Sequence, residues 1–245
     1  MQVISNSMSA HVPELMRQMA IFFIQFRPAS GRTLYCHLTT ALADLGLLDR
    51  VIFSTLNYEC ILEFSLLMKS IPFNYFDPID KNPHLPVWKL HGSCNMFATG
   101  VSATPGVVYT AGVIFQGGLE ALMDSNDVIG RWLCGTALAP AMCLYMKGKP
   151  LSISPDLIHK IQNMWQDAVA ESDILFCVGV NPNVEDAHIW KPIAETSSRL
   201  LYIGAQQAFE AWLQQYRHGP AEFLGDRFST SFGILRRSLA EYAAK

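Results

Sequence analysis

Four short runs of apolar residues set the architecture of this chain. They are Val51-Ile52-Phe53-Ser54-Thr55, Val87-Trp88-Lys89-Leu90, Ile174-Leu175-Phe176-Cys177-Val178-Gly179 and Leu200-Leu201-Tyr202-Ile203-Gly204. Strands this short and this continuously apolar are buried on both faces, as in parallel sheets covered by helices. Segments of helical periodicity alternate with them. The expected fold is therefore α/β, a Rossmann-like parallel sheet with helices on both faces, plus a small irregular or helical insertion.

The helical segments have recognisable starts and stops. Pro13 suits a first helical turn, and a helix is expected from there to about Phe26. Leu34, Leu38, Ala41, Leu45 and Leu48 recur at helical spacing over about Thr33 to Leu47, before Asp49. A third helix is expected from about Tyr58 to Lys69, after which 78–86 reads as loop. Ser154 is the expected cap and Pro155 the first turn of a long helix to about Glu171. Helices are also expected over Gln206–Tyr216 and about Ser229–Tyr242. Residues 95–150 carry scattered glycines and isolated apolar groups, and read as an insertion or small lobe within one domain spanning 1–245.

Composition narrows the class. Of 245 residues, 50% are hydrophobic and 16% charged, which suffices for a sizeable core and is too apolar for disorder. A formal net charge of -3 supplies no basic stripe to meet phosphates, so nucleic acid is not an expected partner. Six cysteines include no C-x-x-C pair, which argues against a zinc ribbon and for reduced core thiols. The start lacks a basic, then apolar leader, and Met19–Ile24 is too short to span a bilayer, so a cytoplasmic protein without membrane contact is expected. Phe22, Phe23 and Phe26 in the first helix either fill the core or meet a partner chain or second copy.

The polar clusters sit where the strands end, and in open α/β sheets ligands bind outside the carboxyl ends of strands. Asn57-Tyr58-Glu59 follows the first strand: Asn57 can bond a ribose hydroxyl or simply cap the next helix, with Glu59 favoured by its dipole. His91-Gly92-Ser93 follows the second. A histidine there can act as a general base, and a glycine admits a ligand close to the backbone, although a histidine bonded to a neighbouring carbonyl is the commoner case. Gly179-Val180-Asn181 follows the third strand, with Asp186 a candidate cap. Asp186 and His188 make only a weak metal pair, and no metal is expected. Gly204-Ala205 follows the fourth, leaving room for an adenine or forming an ordinary turn.

In this order the pieces resemble the sirtuin-like family, in particular its bacterial branch without a zinc module. That branch has Thr-Asn-Tyr-Asp followed by Leu-Leu-Glu, matched here by Asn57-Tyr58-Glu59 and Ile61-Leu62-Glu63. Its Lys-Leu-His-Gly-Ser recurs in full as Lys89-Leu90-His91-Gly92-Ser93. A strand ending in glycine and followed by Asp-x-His matches Gly179 to His188. The resemblance covers about residues 30 to 210. It implies NAD as the small-molecule ligand, His91 as the base acting on its ribose, and Asn57 as a ribose contact. It places Tyr58 and Glu59 at the nicotinamide, Gly92 and Ser93 beside the base, Gly179, Val180 and Asn181 along ribose and phosphate, and Gly204 and Ala205 near the adenosine.

The family's opening strand and Gly-Ala-Gly-x-Ser loop, whose amides cradle pyrophosphate, have no counterpart in residues 1–40. Glu59 stands in place of an aspartate, and Leu56 in place of a polar ribose contact. The leading expectation is an NAD-consuming enzyme that cleaves the nicotinamide–ribose bond, an activity the resemblance associates with NAD depletion in antiphage defence. The alternatives are an NAD-dependent protein deacylase, for which no acyl-lysine channel is recognisable, and an inactive NAD- or ADP-ribose-binding or structural module.

Overall fold

The structure is a computed structural model that describes residues 12–76, 84–100, 114–133, 138–143 and 151–244. The chain is mixed α/β and divides into two compact units: Met1–Ala29 with Ile52–Ile161, and Ser30–Val51 with Gln162–Lys245.

In the first unit, β1 (Phe53–Thr55), β2 (Phe73–Asn74) and β3 (Leu85–Lys89) form a parallel sheet in the order β1-β3-β2. β3 is its centre and its best buried strand, with Leu85, Val87, Trp88 and Lys89 all covered. Pro86 is tolerated within it although proline donates nothing to a ladder. The two-residue β2 carries no pattern from which sequence could announce it. β4 (Met96–Ala98) and β5 (Leu119–Ala121) pair antiparallel, and α4 (Ser125–Leu133) follows. The expected insertion thus contains a hairpin-like pair and a helix; residues 101–113, 134–137 and 144–150 of it, and most of the loop expected over 78–86, lie outside the described residues.

α1 (Val12–Ile24) buries Met16, Ala20 and Ile24, one residue per turn of one face. That stripe packs with Cys60, Phe64, Cys94, Phe97, Val128, Ala139 and Met142 into the unit's core. Arg27 then lays its guanidinium over the ring of Phe64, 3.4 Å from the centroid, which fixes the chain leaving the helix. Phe23 packs against Tyr58, whereas Phe22 is 57% exposed. α3 (Ile61–Met68) starts three residues later than its apolar pattern suggests, because Glu59 and Cys60 are spent on its N-terminus.

In the second unit, β6 (Ile174–Val178), β7 (Arg199–Ile203) and β8 (Ala221–Gly225) form a parallel sheet in the order β6-β7-β8. β7 is central and buried from Leu200 to Ile203. The sequence reading omitted β8, whose Ala-Glu-Phe-Leu-Gly is not continuously apolar; it is an edge strand, and Glu222 meets Arg199 of β7 at 2.5 Å. α5 (Pro155–Glu171) precedes β6. A single 3-10 turn, Val184–Asp186, and α6 (Ala187–Glu195) join β6 to β7. α7 (Gln206–Tyr216) joins β7 to β8, and α8 (Phe228–Ala243) ends the chain. α2 (Leu34–Asp44), capped by Thr33, packs on α8.

Two expected caps are corrected. Ser154 precedes α5 with φ +45°, and its hydroxyl bonds none of the described residues; its carbonyl accepts from Leu157 instead. Asp186 makes no capping bond to α6, and the side chain that caps the preceding turn is Asn183, which accepts from the Glu185 amide. Beyond the helices, Arg217 is 5% exposed and donates to the carbonyls of Ile193, Thr196, Ser198 and Pro220. They come from the C-terminal end of α6 and the segments that lead into β7 and β8, and the planar fork of arginine suits several at once.

Candidate functional site

In the first unit the register Thr55↔Lys89 ends β1 and β3 side by side, and the Leu90 amide extends the pairing by donating to the Thr55 carbonyl. Two of the polar clusters therefore emerge together. Asn57 is exposed, and Tyr58 and Glu59 are half-buried. His91 is 5% exposed and Ser93 is fully buried.

The two loops are tied together, and the first is tied on to Cys143. Lys89, with no exposure, places its ammonium 2.7 Å from the Glu63 carboxylate and donates to the carbonyls of Asn57 and Glu59. A buried ammonium needs an opposite charge and full hydrogen bonding, and it finds both here. Burial, the largest single influence, lowers its pKa, but Glu63 together with Cys60 and Glu59 raises it by more, so the net shift is upward. Ser93 Oγ and the Cys94 amide both donate to the Tyr58 carbonyl, at 3.1 and 3.0 Å. Tyr58 in turn donates its hydroxyl to the Cys143 carbonyl.

The segment 141–143 closes the other side of the histidine loop. The Ser93 amide donates to the Ala141 carbonyl at 2.9 Å, and the Cys143 amide donates to the His91 carbonyl at 2.8 Å. Gly92 has φ +74°, and a Cβ on it would lie 1.9 Å from the Ala141 oxygen. The close approach expected of a ligand at Gly92 is made by the protein's own backbone.

Glu59 uses both carboxylate oxygens locally. Oε1 accepts from the Asn57 amide group at 3.0 Å and Oε2 accepts from the Ile61 N–H, the first orphan amide of α3. Asn57 does not cap that helix. Its own amide N–H donates to Thr55 Oγ1, and its side chain stays exposed at the strand end.

In the second unit, β6 and β7 end in register at Val178↔Ile203, which brings Gly179 and Gly204 to one edge. The Gly179 amide donates to the Ile203 carbonyl and the Gly204 amide to the Gly225 carbonyl. Gly179 has φ +72°, and nothing lies within 4 Å of where its Cβ would be. Gly204 is different: a Cβ there would stand 2.5 Å from the Tyr202 hydroxyl. That hydroxyl donates to Asn181 Oδ1, and the ring stacks on Phe209 at 4.1 Å. Burial pushes the Tyr202 phenol up to about 12. The small residue at 204 therefore makes room for a tyrosine of its own strand. Val180 is half-buried, and Asn181 and Ala205 are exposed.

Each unit thus gathers its own polar residues at its strand ends: Asn57, Tyr58, Glu59, His91, Gly92 and Ser93 in the first, and Gly179, Val180, Asn181, Gly204 and Ala205 in the second. Sequence reading gave no role to Lys89, Glu63 or the 141–143 segment. A lysine closing an otherwise apolar strand was the available signal, since a charge there must find a buried partner. No family model matches the chain, and no curated protein matches it significantly. No helix among the described residues is long and apolar enough to cross a membrane.

Proposed function

We propose that this chain cleaves the nicotinamide–ribose bond of NAD. The observation that carries the reading is the parallel pairing of β1 with β3, which delivers His91 and the exposed Asn57 to the same sheet edge. In this reading water attacks the ribose C1′, the bond to the nicotinamide nitrogen breaks, and nicotinamide leaves with the bonding electrons. His91 takes the proton of the attacking water or of a ribose hydroxyl, work for which an imidazole is suited near neutral pH. Asn57 offers an amide donor and acceptor to the ribose. The same reading takes each parallel sheet, with its helices, as Rossmann-like.

Incubation of the full chain with NAD, followed by nicotinamide release, tests this directly. Release that is lost in His91→Ala supports the reading, and no release over hours at high protein concentration overturns it.

A second reading is favoured by one observation. Glu59, the expected nicotinamide contact, already spends its carboxylate on Asn57 and on the N-terminus of α3. A module that binds NAD or ADP-ribose without cleaving it needs no free carboxylate there. Calorimetry with ADP-ribose would separate it from the enzyme.

A further inference from the structure

Cys60 and Cys94 stand with their sulfurs 3.8 Å apart, and neither residue is exposed. Cys60 directly follows the Asn57–Glu59 loop, and Cys94 directly follows His91-Gly92-Ser93. Their meeting is enforced by the backbone. The Tyr58 carbonyl receives both the Cys94 amide and Ser93 Oγ, so the two loops are held in register beside the sulfurs. Ile24, Phe64, Phe97 and Met142 belong to the same core and keep water away.

Sulfurs 3.8 Å apart are in van der Waals contact. A disulfide of about 2.05 Å asks them to approach by roughly 1.8 Å. We propose that Cys60 and Cys94 form an intramolecular disulfide when the protein meets hydrogen peroxide, linking the Asn57–Glu59 loop covalently to the His91–Ser93 loop. The inference rests on the sulfur geometry alone and stands whether or not the chain cleaves NAD.

The chemistry closes with peroxide as the sole oxidant. The contact with Cys60 and burial raise the Cys94 pKa, and either sulfur can take the first step with the same final product. When Cys60 reacts first, its sulfur attacks one peroxide oxygen, the O–O bond breaks, and the departing hydroxide takes up the Cys60 proton to give water. Cys94 sulfur then attacks the sulfenic sulfur, the S–O bond breaks, and the leaving hydroxide takes the Cys94 proton as a second water. Two thiols lose two electrons in all, and one peroxide becomes two waters. Both thiols are fully buried, so peroxide reaches them when the core opens locally, and the reaction is correspondingly slow.

The test uses the full chain, titrated with hydrogen peroxide, alkylated under denaturing conditions, digested and weighed by mass spectrometry. The expected product is the Cys60 peptide joined to the Cys94 peptide and released by dithiothreitol, with Cys36, Cys134, Cys143 and Cys177 alkylated. Its formation should raise the melting temperature, and reduction should reverse the rise. Cys60→Ser and Cys94→Ser should each abolish the link. Met68, which is 48% exposed, reports the dose. If both cysteines remain alkylatable once Met68 has become the sulfoxide, the proposal fails. It fails equally if either sulfur proceeds to sulfinic acid, or pairs with another cysteine or another copy.

Discussion

Lys89 and Glu63 face each other at 2.7 Å with neither side chain exposed. The pair joins the end of β3 to α3, and the same ammonium holds the carbonyls of Asn57 and Glu59. Removing one partner strands a buried charge, which costs about 3–5 kcal/mol. Lys89→Met should therefore lose about that much stability in urea unfolding. The double variant Lys89→Met with Glu63→Leu should recover part of the loss, because no charge is left unpaired. A double variant as unstable as the sum of the two single variants would contradict this account.

The same cluster sets the alkaline limit of stability. The Lys89 pKa is raised in the folded chain, where Glu63, Cys60 and Glu59 together outweigh the lowering by burial. The Tyr75 pKa is raised as well, by burial first and by Glu63 next. A raised folded pKa contributes stability that is complete below the unfolded value, about 10.4 for lysine and about 10 for tyrosine, and is lost as pH rises through the folded value. The urea midpoint should therefore fall above about pH 10. Tyr75→Phe should flatten part of that fall, and an unchanged alkaline arm in this variant would remove Tyr75 from the account.

Two glycines with nearly equal φ should respond differently. Gly179→Ala puts a Cβ into open space at φ +72° and should cost about 1–2 kcal/mol, the strain of a left-handed residue. Gly92→Ala meets the Ala141 oxygen as well, and overpacking adds about 1–3 kcal/mol. Urea unfolding midpoints of the two variants measure the difference. Equal losses would mean that the 141–143 segment yields freely.

Glu59 separates stability from the proposed chemistry. Glu59→Ala removes the acceptor of the Ile61 amide and should cost about 1 kcal/mol, as loss of a helix-end cap does. It also releases the Asn57 amide group. If Glu59 serves only α3, nicotinamide release at saturating NAD follows the folded fraction. A contact with the carboxamide would lower release further, and that lower value is the expected result under the proposed function.

Much of the architecture was legible from local pattern. Gln206–Tyr216 was read with the bounds α7 has, and Ile174–Gly179 and Leu200–Gly204 contain β6 and most of β7. Continuous apolar runs and 3.6-residue periodicity report burial that is already encoded within one segment. β2, β4, β5 and β8 escaped because strands of two or three residues and a partly polar edge strand carry too little of such a run. The site was legible only in part. His91 and Asn57 were each placed at a strand end, but that these two strands are neighbours depends on the strand order.

The sequence by itself determined most helices, the longer buried strands and the glycines at the turns, because backbone preference and apolar spacing act over a few residues. Tertiary structure alone decided what those residues do. Gly92 makes room for Ala141, Gly204 for Tyr202, Lys89 finds Glu63, and Cys60 meets Cys94. Most of these partners lie far apart along the chain, and even Tyr202 reaches the space beside Gly204 only by the way its ring packs on Phe209. Such meetings are fixed by how segments pack and register, an outcome of the whole fold that no local pattern contains.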